Sequence, residues 1–406
     1  MRLCCASGMR CRWEGNLAIL IAGGGIGGLT AALALAHQGL EAQVFEQATA
    51  FEEIGAGLQI SPNSARVLQA LGLEKPLRPY VVLPEAAQIR HWRHGKTIAE
   101  TPLGAAAQAK YGAPYYHIHR ADLMRVLAEA AERSPKISLH LGAPVDAISQ
   151  SPSGVSLSTS HARYEGEALI GADGLYSRVR NHLWGEQAPR FTGNVAWRAL
   201  VPREKLPADW MARKANVWWG PGKHFVHYDV RGGDLVNCVC VVEKSGWQLE
   251  SWTHRGEASE LAADFAGWHG DIQQLLAAAV PDSLFKWALF DRPPMRQWGK
   301  GRISLLGDAC HPMLPFMAQG SAMAIEDGAV LAKCLVGARD FAAALQHYEA
   351  MRKPRTNFVQ NLSRRNARVF HLRGVAGFMR NQIAPWAGQR AMDRLYAYDA
   401  FTPSGD

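Results

Sequence analysis

The 406 residues predict an α/β fold: a unit built on a parallel sheet, interrupted by an inserted antiparallel sheet and followed by a helical tail. Three observations predict it. An apolar run, a glycine cluster, an Ala/Leu-rich helix and a second apolar run succeed one another between Leu17 and Phe45. Tryptophan-rich alternating segments dominate from about Arg190 to Trp298, and helical periodicity fills about 340 to 395. The length is enough for two domains, or for one with large insertions. With 48% apolar and 20% charged residues, disorder through most of the chain is excluded.

The elements follow in order. Leu17–Ile21 reads as a strand, the helix after the glycines stops at Gly39 as a natural left-handed terminator, and Ala42–Phe45 reads as the next strand. A β-turn-α-β order implies parallel pairing with a right-handed crossover. Ser61-Pro62 marks an N-cap with proline at the first helical position, so a helix is expected over 63–71, ending at Gly72. A second amphipathic helix is expected at 121–133, with strands at 137–141, 155–159 and 167–171. In the insert, alternation places strands around Val195–Trp197, Val217–Trp219, His224–Val230 and Leu235–Val242, and helical spacing returns at 257–279. A strand at 302–306 rejoins the first sheet, a strong helix covers 320–335, and Tyr348, Arg352, Val359 and Leu362 share one face of the tail.

Composition narrows the function classes. The charge is +8, but there is no Lys/Arg block; Arg364-Arg365 with Arg368 is the nearest. The positive balance therefore favours small anionic ligands rather than nucleic acid. Seven cysteines, an odd number with no C-x-x-C pair, argue against a disulfide framework or a metal site and fit a reducing, cytoplasmic setting. The apolar stretch at Leu17–Gly39 is broken by glycines, so neither a membrane span nor a secretory signal is expected. Residues 1–16 show no period and are expected to be a disordered leader, or to precede an internal start at Met9.

Four constellations carry chemistry. Gly23, Gly25 and Gly28 fit G-x-G-x-x-G between a strand and a helix, where the backbone can approach a pyrophosphate and the helix N-terminus adds positive charge. Glu46 follows 18 residues past Gly28 at the end of the second strand, placed to accept both hydroxyls of an adenosine ribose. Gly307-Asp308 ends a strand, and the loop through Pro312, Pro315 and Gly320 leads into a helix N-terminus that favours a group becoming anionic. Gly171-Ala172-Asp173-Gly174 and His119-Arg120-Ala121-Asp122-Leu123 are, taken alone, an ordinary turn and a helix start.

Taken together, GGGIGG at 23–28, VFEQ at 44–47, HRADL at 119–123, GADG at 171–174 and GDACHPMLPFMAQGSAMAIEDG at 307–328 resemble the class A flavoprotein aromatic hydroxylases. This is the para-hydroxybenzoate hydroxylase fold group. Within it the chain looks most like salicylate hydroxylase, 3-hydroxybenzoate 6-hydroxylase and 6-hydroxynicotinate 3-monooxygenase. The resemblance implies a Rossmann-like FAD-binding domain of residues 17–80, 110–189 and 299–339, a substrate domain of 81–109 and 190–298, and a C-terminal helical region of 340–406. It implies non-covalent FAD held by Gly23, Gly25, Ile26, Gly28, Glu46, Gln47, Gly57, Arg120, Val145, Asp173, Asp308, Pro315, Gly320 and Ser321. It also implies NADH or NADPH as a transient reductant without its own Rossmann domain, O2 as co-substrate, and a monomer or homodimer without membrane association.

The implied reaction is hydroxylation of a small phenolic aromatic through a flavin C4a-hydroperoxide. The protein must then hold the ring, help ionise the phenol and exclude water. The base is expected on the strand HFVHY, where period two puts His224, Val226 and Tyr228 on one face and Phe225 and His227 on the other. His224 is the expected base or phenol orienter, with Tyr228 as its hydrogen-bonding partner. Gln59, Arg198, Trp219 and Phe316 are the expected substrate contacts, with Arg90, Trp197 and Trp218 as further candidates. The 6-hydroxynicotinate enzymes carry His where this chain has Gln59 and Phe316, a departure that favours a more apolar ring. A larger polycyclic or N-heteroaromatic substrate and a non-catalytic flavin-binding protein stay open as alternatives. A halogenase is disfavoured because no W-x-W-x-I-P run is present.

Overall fold

The computed structural model describes residues 18–51, 56–207, 210, 213–244, 246 and 254–402. The expected leader at 1–16 lies outside them. A five-stranded sheet runs in the order Ile303–Leu305, Ala168–Gly171, Ile19–Ala22, Ala42–Phe45 and Ile137–His140. Its pairs are all parallel; Ile21 lies between Ile170 and Val44. Every residue of Ile19–Ala22 is buried, as expected of a central parallel strand covered on both faces. Helices Ile26–His37 and Gly320–Leu335 pack against each other beside this sheet.

A second sheet of seven strands holds the insert, in the order Phe285–Asp291, Arg190–Pro202, Leu235–Glu243, Lys223–Val230, Lys214–Gly220, Ala86–His91 and Thr97–Pro102. It is antiparallel except where Lys214–Gly220 runs parallel to Ala86–His91, so the expected purely antiparallel insert is a mixed sheet. The cause is topological: Ala86–His91 and Thr97–Pro102 come from a distant part of the chain and add to the sheet edge. One face of this sheet buries Trp197, Trp218, Phe225 and Phe265 in a shared apolar cluster.

Two local expectations shift. The helical stretch at 257–279 is two helices, Ala258–Asp264 and Gly270–Ala278, with His269 capping the second through Nδ1. Ser61 stands at the N-cap of Pro62–Ala70, but its hydroxyl donates to Asn63 Oδ1 at 2.7 Å instead of accepting from the helix. The tail forms Phe341–Phe370, Gly374–Ile383 and Gln389–Tyr396. Among the described residues no helix is long and apolar enough to cross a membrane.

A buried ionic network joins the long tail helix to helix Gly320–Leu335 and to the loop that follows Ile303–Leu305. Arg352 of the long tail helix meets Glu326 at 2.8 Å and Asp327 at 2.6 Å, and Arg355 meets Glu326 at 2.7 Å. Asp327 also takes His311 at 2.5 Å and the Gly307 N–H at 3.0 Å, while Glu326 accepts from Asn63 at 2.6 Å. Burial opposes charge on Asp327, but His311 and Arg352 hold its pKa down to about 2. Removing one member of such a network leaves an uncompensated buried charge.

Candidate active site

The site starts at the glycine turn. Gly23 adopts φ +104°, and a Cβ there would lie 2.4 Å from the Ala172 carbonyl oxygen. A Cβ at Gly28 would lie 1.9 Å from the Gly23 carbonyl oxygen, whereas nothing lies within 4 Å of one at Gly25. The turn is thus closed on the protein side and open at Gly25. Gly25 is also the N-cap of Ile26–His37 and offers no side-chain cap, so the first N–H groups of that helix are available to an anion.

Across the turn, Glu46 Oε2 accepts from the Gly24 N–H at 2.7 Å and Oε1 from the Ala48 N–H at 2.9 Å. These bonds fix the carboxylate while leaving lone pairs for a diol. Gln47 beside it is exposed. The Val145 carbonyl accepts from Arg178 at 2.8 Å. Asp173 caps the following helix through the Val179 N–H at 3.1 Å, and burial pushes its pKa up. Arg180 donates to the Ala309 and Leu175 carbonyls at 3.1 and 2.8 Å, tying the GADG turn to the Asp308 loop.

Between the two sheets lies a cavity of about 280 Å³. Gly57, Gln59, Arg120, Arg198, His224, Tyr228, Asp308, Pro315, Gly320 and Ser321 all line it. Arg120 and Asp308 have exposed surface yet are densely surrounded by protein, because what they expose faces the cavity rather than bulk water. Desolvation lowers the Arg120 pKa, and the nearby Asp308 opposes that fall. Desolvation raises the Asp308 pKa, against the pull of His311 and Arg120. Desolvation, with Arg120 nearby, lowers Arg198 to about 10, which leaves it cationic at neutral pH. The N-terminus of Gly320–Leu335 opens into this cavity without a side-chain cap.

His224, Val226 and Tyr228 face the cavity from one side of their strand. On the other side, Phe225 joins the tryptophan cluster and His227 accepts from Trp218 Nε1 at 3.0 Å. His224 is 3% exposed, and burial followed by the neighbouring His371 lowers its pKa well below the usual histidine value. It is therefore neutral at pH 7. Its Nδ1 is engaged by His371 Nε2 at 2.8 Å, so Nε2 is the nitrogen that can meet a ligand. Burial pushes the Tyr228 phenol up, so it serves as a neutral hydrogen-bonding group and not as a base. Gln59 is held by the Tyr115 hydroxyl at 2.7 Å.

Two expected substrate contacts stand behind the lining. The Phe316 ring packs on His224 at 5.0 Å between centroids and orients it. Trp219 packs on Phe370 at 5.0 Å and beneath the Arg380 guanidinium at 4.7 Å, because the end of the long tail helix covers it. Trp197 and Trp218 are core, and Arg90 lies over Trp218 at 4.8 Å, on the far side of the sheet. The sequence reading missed the apolar walls Val239, Trp287 and Leu289, which period two on their strands could have found. It also missed His371, which no motif marks.

The FAD-binding domain family matches residues 16–363 of this chain. The chain is 40% identical to 3-amino-4-hydroxybenzoate 2-monooxygenase PtmB3 of Streptomyces platensis over 94% of itself and 95% of that protein. It is 38% identical to 3-hydroxybenzoate 6-hydroxylase of Polaromonas naphthalenivorans, over 94% of each. Among solved structures, Klebsiella pneumoniae HpxO complexed with FAD and uric acid superposes with a TM-score of 0.83 at 26% identity, over 96% of this chain and 98% of that one. The chain belongs to the FAD-binding domain family, and within it to the FAD-dependent aromatic monooxygenases, which use NAD(P)H and O2.

The residues present fit FAD. The space beside Gly25, the uncapped helix start and the fixed Glu46 carboxylate suit a pyrophosphate and an adenosine ribose. Asp308, facing the cavity, and the helix start at Gly320 suit the polyol and ring end.

Proposed function

We propose that this chain hydroxylates a monocyclic phenolic acid of the hydroxybenzoate class, with Arg198 holding the carboxylate and His224 taking the phenolic proton. The observation that carries this reading is that one cavity presents a half-buried cation and a neutral histidine beside the residues that fit FAD. A guanidinium in a low-dielectric wall pairs strongly with a carboxylate. The relatives' names point the same way, since both act on hydroxybenzoates. Gln59, engaged by Tyr115, and Phe316, packed on His224, disfavour an N-heteroaromatic ring that would need histidines there.

Bound FAD supplies the activated oxygen, with NAD(P)H as electron donor. The chain's own residues do the rest. His224 Nε2 accepts the phenolic proton and enriches the ring in electrons at the positions ortho and para to oxygen. Tyr228 donates a hydrogen bond to the phenolate. Val239, Trp287 and Leu289 keep water from the reacting carbon. Glu46, Gly25 and Asp308 anchor the cofactor, while Arg198 sets which ring carbon faces it.

The test is a panel of hydroxybenzoates and their carboxamides, following NAD(P)H oxidation, oxygen uptake and product mass together. Hydroxybenzoates should give a product heavier by one oxygen, and carboxamides should show KM values about tenfold higher or more, as expected when a charge-assisted pair is lost. Equal KM values for acid and amide, or no hydroxylated product, would remove Arg198 from its role or the substrate class from the enzyme.

A further inference from the structure

His224 does not end at the cavity wall. Its Nδ1 meets His371 Nε2 at 2.8 Å, and His371 Nδ1 meets Glu243 Oε1 at 3.2 Å. Glu243 Oε2 in turn accepts from Arg373 at 2.5 Å. His224 and His371 are each 3% exposed, while the Glu243 side chain is 43% exposed. Arg373 lines a surface cleft of about 550 Å³. The three groups are held in line by backbone bonds around the hairpin turn that precedes His224: the Gly222 N–H donates to the His371 carbonyl at 3.0 Å, and the Glu243 N–H to the Gly222 carbonyl at 3.0 Å.

The tautomers follow from the outer end. A carboxylate only accepts, so His371 carries its proton on Nδ1 and presents an unprotonated Nε2 inward. His224 must then donate from Nδ1, which leaves Nε2 as the basic nitrogen toward the cavity. This is the tautomer that a proton acceptor facing a phenol requires.

We propose that His371 and Glu243 are positioning residues that set this tautomer and carry the phenolic proton from His224 to the surface. The step balances: as the phenol O–H bond breaks, Nε2 of His224 gains that proton, Nδ1 of His224 passes its own to Nε2 of His371, and Nδ1 of His371 passes its own to Glu243. Glu243 then releases a proton to water, and rotation or back-transfer through water restores the starting tautomers. No electron is gained or lost. The physical need is plain in the burial of the site. A buried His224 is a poor resting place for positive charge, since desolvation and a second histidine both disfavour its imidazolium. Burial also disfavours charge on His371, pulling it to about 4 against Glu243, with Arg373 and Arg380 adding to the fall. The groups facing the relay are thus Glu243, Arg373 and Arg380, with the apolar rings of Phe316 and Phe370 packed beside the histidines. A proton accepted from the phenol is better passed on than stored.

The inference rests on the phenolic-acid reading above, and the experiment separates the two. The FAD-loaded full chain is mixed in a stopped-flow instrument with a nitro-substituted hydroxybenzoate below its solution pKa, and the phenolate band is followed in H2O and D2O. Wild type should ionise the probe on binding, with a solvent isotope effect. Glu243→Gln, at the half-exposed end and outside the core, should bind with similar affinity but ionise about tenfold more slowly or worse. Glu243→Asp, which keeps the carboxylate, should recover most of the rate. Wild-type ionisation rate and isotope effect in Glu243→Gln, or no recovery in Glu243→Asp, would overturn the relay while leaving the substrate class standing. Failure of wild type itself to bind or ionise any hydroxybenzoate would overturn the substrate class, and the relay with it.

Discussion

Two buried histidine–carboxylate constellations flank the cavity, and they differ in where they lead. His311 and Asp327 sit in a closed network: both are at most 1% exposed, and Arg352, Glu326 and Arg355 complete it. Asp327 accepts from the Gly307 backbone, so the network fixes the loop that carries Asp308. His224, His371 and Glu243 form an open chain with one end at the cavity and the other at the surface. Histidines at similar depths therefore serve different ends. Full compensation by arginines makes a strut, whereas a neutral pair leading to an exposed carboxylate can pass a proton.

Breaking the strut should have the largest effect. Arg352→Met leaves Glu326 and Asp327 without their central cation and should cost about 3–5 kcal/mol in urea unfolding, with loss of retained flavin. A change below 1 kcal/mol would mean that the network carries no such role. Breaking the open chain at its inner end should instead spare the fold. His224→Ala should lower coupled hydroxylation about a hundredfold while keeping the yellow cofactor and a near-wild-type unfolding midpoint. Unchanged coupled turnover would remove His224 from the chemistry.

The smallest expected effect is one of pH. Asp327 has its pKa depressed to about 2 in the fold, from an ordinary 3.8. Its contribution is fully present above about pH 4 and is lost as the pH falls through 2; it should amount to roughly 2 kcal/mol. Urea midpoints measured between pH 4.5 and 2.5 should fall more steeply for wild type than for Asp327→Asn. Parallel slopes would contradict the pairing.

The same contrast explains what could be read from the sequence. The residues that fit a nucleotide sit in contiguous motifs set by the local backbone, so the glycine turn at Gly23, Gly25 and Gly28 and its pairing with Glu46 were legible from spacing alone. Strand alternation likewise separated His224 and Tyr228 from Phe225 and His227. His371 and Glu243 were not legible, because their meeting depends on how the end of a 30-residue helix packs against a hairpin turn. Trp219 stands behind the cavity lining for the same reason. Its strand position suits a pocket wall, but Phe370 of that helix covers it. The run of the sheet edge, with Lys214–Gly220 parallel to Ala86–His91, was likewise a matter of tertiary packing and not of local pattern.

A structure of the FAD-loaded protein with a bound hydroxybenzoate bears most directly on the mechanism. The carboxylate should lie within hydrogen-bonding distance of the Arg198 guanidinium, with the phenolic oxygen at Nε2 of His224. A substrate bound in the reverse orientation, or outside this cavity, would contradict it.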